Sequence, residues 1–248
     1  MAILKDGYLR GQIGNVVNRK VGSLNVIQTK PSDKLKQTQW TQNAAADFGT
    51  ASAAGAVIRG AFRSVHRDMH DNEMHNRLVK RMLRVLRGNG KRNQGLLQVK
   101  YGNIQRLVDF QFNDNCHIYD HIYFTPLISF AKNGITTVEL PALEVQRNFN
   151  VPNKCSHLIM KLDVIAIDFS GKRSTSIGNI EIKLARYGEN EQHADPQTHV
   201  FEVKDKQYDS IVVSMSIIYL AQESRFATLL NTETFNPAGI VAAYNIDS

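Results

Sequence analysis

Histidine and cysteine are the side chains in this sequence best suited to metal ligation or nucleophilic chemistry. Two groups of them stand out. His66, His70 and His75 lie close together, and His66 and His70 are four apart. At that spacing two imidazoles share one helix face and can hold a metal ion. No acidic third ligand is placed as in HExxH, and the neighbouring residues are cationic, which opposes an added ion. Cys116, His117 and His121 form the second place. On an extended strand Cys116 and His117 would face opposite sides, and a zinc site would need two further ligands that the sequence does not nominate. The expectation is therefore metal: none, and cofactors: none.

Other reaction signatures are missing. Gly22-Ser23 and Val213-Ser214-Met215-Ser216 lack the flanking glycines of GxSxG. There is no GxxxxGK[ST] and no strand–GxGxxG–helix; Gly7, Gly11 and Gly14 are too sparse for it and open no helix. Asp163 and Asp168 stand at opposite parity on one strand pattern, so they cannot act there as a carboxylate pair. The expectation is no catalytic residue and no enzyme. The two cysteines, Cys116 and Cys155, have no CxxC spacing and read as idle or buried thiols.

Charge is the stronger signal. Over 248 residues, 30 Lys+Arg against 23 Asp+Glu give +7. Residues 1–106 hold 19 basic and 6 acidic side chains, residues 107–248 hold 11 and 17, so the halves carry +13 and −6. Three readings stay open: a polyanion such as nucleic acid on the first half, contact between the basic part of one copy and the acidic part of the next, or a merely solvated basic helix face. The candidate polyanion contacts are Arg77, Lys80, Arg81, Arg84, Arg87, Lys91 and Arg92. No aromatics interleave with them, which disfavours stacking on single strands.

The elements that must position these groups divide the chain into three. Residues 1–35 are a Gly-rich segment in which Gly7, Gly11, Gly14 and Gly22 punctuate β-branched residues, among them Val16, Val17, Val26 and Ile27. Glycines this frequent break a helix, and the residues between favour short extended stretches. Asn18-Arg19-Lys20 reads as a loose hairpin turn and Pro31-Ser32-Asp33 as the end of the segment. It has too few large side chains to fold alone. It is either an arm exchanged between subunits or an edge hairpin on its own domain.

Residues 36–106 read as a basic helical region. Ser32 or Asp33 caps its start. Gly49, Gly55 and Gly60 either break the first helix or demand packing partners. Asp68 to Arg87 is the clearer helix, with Met74, Leu78, Met82, Leu83, Val85 and Leu86 on one face, and Gly88-Asn89-Gly90 stops it. Leu96-Leu97-Gln98-Val99 reads as a short strand. From residue 107 to 248 the period changes to two. His157–Phe169 carries apolar groups at both parities. Ser210–Leu220 sets Ile211, Val213, Met215, Ile217 and Tyr219 against Val212, Ser214 and Ser216. Strands at such intervals indicate an antiparallel β-sandwich or barrel. The fold class expected is α+β: an extended arm, a basic helical region and a C-terminal antiparallel β-domain.

The pattern Met1-Ala2-Ile3, Gly7-x-Leu9, Gly11-x-Ile13-Gly14-Asn15-Val16-Val17, Gly22, Val26-Ile27 and Pro31 resembles the opening of an uncharacterised family of Bacteroidota proteins. Their chains share a Gly-rich GxxGNVV start and a Gln-rich helix start, matched here by Gln37, Gln39 and Gln42. The family's WKG tryptophan is replaced, since Lys20-Val21-Gly22 stands there and the single tryptophan is Trp40. Val212–Ser216 and Asn236–Val241 also look similar. The resemblance implies no established activity and transfers no catalytic residues.

No run of 18 apolar residues suggests a membrane span, and Met1–Gly7 shows no apolar signal-peptide core. Cytoplasmic synthesis is expected, with residence in a virion or other assembled particle as one outcome. Together these features point to a non-enzymatic, self-assembling homo-oligomeric structural protein: a virion, phage-tail-like, filament or tube subunit using Gly7, Gly11, Gly14, Val16, Val17, Gly22, Val26 and Ile27 as its assembly arm. The alternative is a nucleic-acid-associated protein using the basic 59–106 region.

Overall fold

A computed structural model describes residues 2–30, 37–89, 94–131, 134–186, 193–205, 207–223 and 226–246. The chain is a mixed α+β protein with N-terminal strands, a central helical region and C-terminal sheets. Two compact units are separated, Met1–Gln42 and Asn43–Ser248.

The first unit is a four-stranded antiparallel meander of β1 (Ile3–Lys5), β2 (Tyr8–Ile13), β3 (Val16–Val21) and β4 (Leu24–Thr29). Its turns are two residues long and centre on glycine. Asp6 and Gly7 both have positive φ, 55° and 77°, as a type I′ hairpin turn requires. Gly14-Asn15 and Gly22-Ser23 make the other two, each with the glycine at positive φ. Asn18-Arg19-Lys20 is not a turn: all three lie inside β3, paired with Ile27, Val26 and Asn25. The reason is local: tight reversals need positive φ, which Gly14 and Gly22 supply and the Asn-Arg-Lys run does not. The end of the segment at Pro31-Ser32-Asp33, and with it the expected cap at Ser32 or Asp33, lies outside the described residues.

The helix α1 (Gln39–Ala61) runs unbroken through its three glycines. Thr38 caps it, its Oγ1 accepting from the Thr41 backbone N–H at 3.2 Å. Asp47, Ala51, Ala54, Gly55 and Ile58 form its buried stripe. The stripe packs on α3 (Met74–Leu86), where a β-carbon at Gly55 would sit 3.6 Å from Leu78 and 3.7 Å from Val79. Between them lies the single turn α2 (Arg63–His66). The helix expected from Asp68 starts only at Met74, because Arg67 and Asp68 are both left-handed, at φ 55° and 57°. Leu96–Val99 is not a strand; Leu97 and Val99 are buried in the helical core, and Val99–Tyr101 is a 3₁₀ turn.

The C-terminal strands are β5 (Leu127–Ala131), β6 (Ile135–Leu140), β7 (Leu143–Glu144), β8 (His157–Asp168), β9 (Arg173–Ala185), β10 (His193–Ala194), β11 (Gln197–Glu202), β12 (Ser210–Glu223), β13 (Phe226–Leu229) and β14 (Ala238–Asn245). A short helix, α4 (Val145–Asn148), follows β7. The described strands of this unit form three separate antiparallel sheets. The largest has the order β9-β8-β12, with β14 and β13 sharing the far edge of β12. The others are β11-β6-β5 and β10-β7.

Two cores flank the large sheet. On one face Ile165, Ile167, Val212, Ile240 and Ala243 meet the helical layer at Ile58, Phe62, Leu78 and Met82. On the other, Leu158, Met160, Leu162, Val213, Met215 and Tyr219 meet Val138 and Leu140 of β6, with Ile118, Ile122 and Phe149. The first core thus draws on both sides of residue 106, and helices and sheet belong to one unit.

A Gly55→Ala variant is expected to raise stability by about 1 kcal/mol, since the helix gains propensity and the added carbon meets only ordinary contacts. For a chain of this size that is a rise in Tm of roughly 2–4 °C, read by thermal denaturation; a fall would show that the α1–α3 approach has no room for the methyl.

Candidate functional site

The meander carries large apolar side chains on its surface. Ile3, Leu4, Leu9, Ile13, Val21, Leu24 and Ile27 are exposed by 38–74 %. Neither hydrophobic core contains a residue of this unit. Of the expected arm residues, Gly7, Gly14 and Gly22 sit in turns. Gly11 lies in β2 opposite Asn18. Val16, Val17 and Val26 are half-buried, and Ile27 is exposed. Within the sheet, β1 and β4 are edge strands with one neighbour each, and an edge strand offers unpaired backbone donors and acceptors.

The expected basic face is only partly free. Arg77 is built into the fold: it pairs with Asp71, donates to the Gln111 carbonyl at 2.9 Å, lies 3.6 Å from Asp114 and stacks over Phe110. Arg81 donates to the Arg106 carbonyl at 3.2 Å. Lys80, Arg84 and Arg87 are exposed and form no ion pair with a described residue. Spaced three and four apart, they share one side of α3, away from Met74, Leu78, Met82 and Leu86. Lys91 and Arg92 lie outside the described residues.

The cysteine–histidine group is arranged differently from a strand. Residues 113–121 form a loop closed by a 3₁₀ turn at Ile118–Asp120, which folds His121 back onto Cys116. Cys116 Sγ lies 3.2 Å from His121 Nε2, and His121 Nδ1 lies 3.0 Å from Tyr219 Oη. Tyr219 Oη donates onward to the Asn150 carbonyl at 2.9 Å. That last bond makes the tyrosine oxygen an acceptor toward His121, so Nδ1 carries the proton and Nε2 accepts from the thiol. The result is a directed chain, thiol to imidazole to phenol to carbonyl. His117 stands outside it, 3.5 Å from Asp114.

A cleft of about 420 Å³ runs past His121, lined also by Asn150, Pro152, Asn153, Lys154, Leu230 and Phe235. Burial pushes the Cys116 thiol up to about 11, and burial lowers the His121 imidazole. Both members are held neutral, the reverse of an activated thiolate–imidazolium pair. Tyr219 could not be found from sequence spacing, since it stands 98 positions from His121.

The helical histidines gather around a left-handed turn. His66, Asp68 and His70 each bring one ligand atom within 4.8 Å of the others. The acidic group that no motif placed is therefore Asp68, swung back by the left-handed Arg67–Asp68 pair. His66 is buried, His70 half-buried and Asp68 exposed. Asn236 donates its side-chain amide to the His66 and Met69 carbonyls, both at 3.0 Å, and pins the loop to the sheet edge. His75 lies apart and contacts Arg59.

Compared with protein-family models, curated proteins and solved structures, the chain matches none.

The neutral thiols make a prediction. At pH 7–8 neither Cys116 nor Cys155, both buried and both raised by burial, should react with a thiol-specific chromogenic disulfide until the chain is unfolded. Rapid native labelling of Cys116 would instead mark it as a poised nucleophile.

Proposed function

We propose that this chain is a self-associating structural subunit, of the kind that builds a virion, tail-like tube or filament, and that its N-terminal meander is completed by a second copy. The observation that carries this reading is the apolar surface of the meander: Leu4, Leu24 and Ile27 are each exposed by more than 60 %. A four-stranded sheet without a buried face of its own is marginal in water, and contiguous exposed apolar patches mark contact sites. The partner is argued to be another copy because the two halves of the chain carry +13 and −6 and can attract head to tail. The open edges at β1 and β4 suit strand addition. The C-terminal layers support a sandwich-like scaffold within the second unit, since the three-stranded sheet shares its core with one face of the large sheet. Among the described residues no helix is long and apolar enough to cross a membrane.

In the full chain, Leu4→Asp, Leu24→Asp and Ile27→Asp together should lower the oligomeric mass measured by light scattering while leaving the far-UV spectrum of the Asn43–Ser248 unit intact. Deletion of residues 1–30 should do the same. An oligomer unchanged by both would sink the reading.

The alternative, a nucleic-acid-associated protein, rests on the free row Lys80, Arg84 and Arg87. If it holds, neutralising the three should reduce the slope of log affinity against log salt by about 1 for each phosphate no longer neutralised, in fluorescence-anisotropy titrations with a duplex oligonucleotide. A slope and affinity unmoved by the triple variant would remove it.

A further inference from the structure

We propose that His66, Asp68 and His70 form a binding site for a divalent first-row transition-metal ion such as Zn²⁺. This site is independent of the self-association reading.

The argument starts from the donors. Two imidazoles and a carboxylate are the ligand types that first-row ions of intermediate softness select. They converge within 4.8 Å of one another, so small side-chain rotations bring them onto one ion. Each imidazole also has its other nitrogen committed to a backbone carbonyl. His66 Nε2 lies 3.1 Å from the Arg59 carbonyl and His70 Nδ1 lies 3.0 Å from the Asp71 carbonyl. A carbonyl only accepts, so both nitrogens are N–H donors. The lone pairs therefore fall on His66 Nδ1 and His70 Nε2. A carbonyl that fixes the tautomer and orientation of an imidazole is the usual outer shell of a metal-ligating histidine.

The backbone between the ligands is held as well. The two consecutive left-handed residues Arg67 and Asp68 reverse the chain directly after α2, and the Asn236 amide grips the carbonyls of His66 and Met69 on either side. Asn236 is itself fixed, its Oδ1 accepting from Asn231 at 2.9 Å. The ligands are thus placed before any ion arrives.

Two features oppose binding and bound its strength. The Asp68 backbone N–H already donates to His66 Nδ1 at 3.1 Å, and an ion must take over that lone pair. Arg63 holds Asp68 Oδ2 through Nε and Nη2, at 3.1 and 3.0 Å, which leaves Oδ1 for the ion. With Arg59 and Arg67 also close by in sequence, the site is less negative than a three-ligand zinc centre with free carboxylates. Three protein ligands leave at least one position for solvent, and the exposure of Asp68 puts that position on the water side.

The full-length chain, stripped with a chelator and titrated with Zn²⁺ by calorimetry, should take up one ion per chain. Asp68→Asn, which tolerates the left-handed conformation, and His70→Ala should each weaken binding at least tenfold. His75→Ala, on the neighbouring helix, should leave it unchanged. Co²⁺ in place of Zn²⁺ should give visible d–d bands that His70→Ala abolishes. His66 is buried and is left intact, so folding does not confound the outcome; circular dichroism of each variant confirms this. No uptake by the wild-type chain, or uptake indifferent to both Asp68→Asn and His70→Ala, would overturn the proposal.

Discussion

The pairing of β8 with β12 is the constraint on which the rest of the second unit depends. Eleven successive residue pairs, from Ser210 with Ile167 to Leu220 with His157, bond the two strands. One face is apolar throughout, from Leu158 to Ala166 and from Ile211 to Tyr219; the other is apolar where Ile165, Ile167 and Val212 meet and polar at Lys161, Asp163, Ser214 and Ser216. Water is therefore unfavourable along the first face and at the Ile165, Ile167 and Val212 end of the second, and both must be roofed. The helical layer roofs one with Ile58, Phe62, Leu78 and Met82, and β6 with the 118–122 loop roofs the other. Helices, loops and small sheets gather where these two central strands are apolar.

The edge of β12 shows how the same requirement extends to backbone polarity. β14 pairs with it as far as Ser216 and β13 from Leu220 onward. Between these partners the backbone would be left short of bonds. Asn231 fills the interval: its Oδ1 accepts from the Tyr219 N–H at 2.8 Å and its Nδ2 donates to the Ile217 carbonyl at 2.9 Å. One side chain copies a stretch of strand. It then passes the connection through Asn236 to the His66 carbonyl. The Cys116–His121–Tyr219 chain and the His66–Asp68–His70 group are joined by this run of amides, although they serve opposite faces of the sheet.

Much of this is legible in the residues. The alternation of Ile211, Val213, Met215, Ile217 and Tyr219 with Val212, Ser214 and Ser216 gives β12 with its faces correctly sorted, and the 3.6-residue spacing of Met74, Leu78 and Met82 gives α3. Leu96–Val99 misleads, because three apolar residues in a stretch of four have no period of their own to separate strand from buried loop. Asn18-Arg19-Lys20 misleads because its polarity suggests a reversal while its backbone stays extended. The candidate site is half legible. His66, His70, Cys116 and His121 stand out by type and spacing. Asp68 and Tyr219 do not, because a left-handed reversal brings in one and a strand 98 positions away brings in the other. Arg77 reads as a surface cation, yet its guanidinium is spent on Asp71, Asp114 and Gln111; sequence shows a charge and not what neutralises it.

The bond from Asn236 to His66 spans 170 positions, and the helical layer closes against Ala238, Ile240 and Ala243 of the last strand. The order of synthesis runs against this geometry. A ribosome delivers α1 and α3 long before β14, so the side of the helical layer that packs on the sheet must wait uncovered while the sheet is made. Such long-range closure slows folding and lengthens the interval in which the nascent chain is sticky. Holdase chaperones that shield helical apolar surface would find this chain a client during translation, and a chain cut before Ala238 would have an open core.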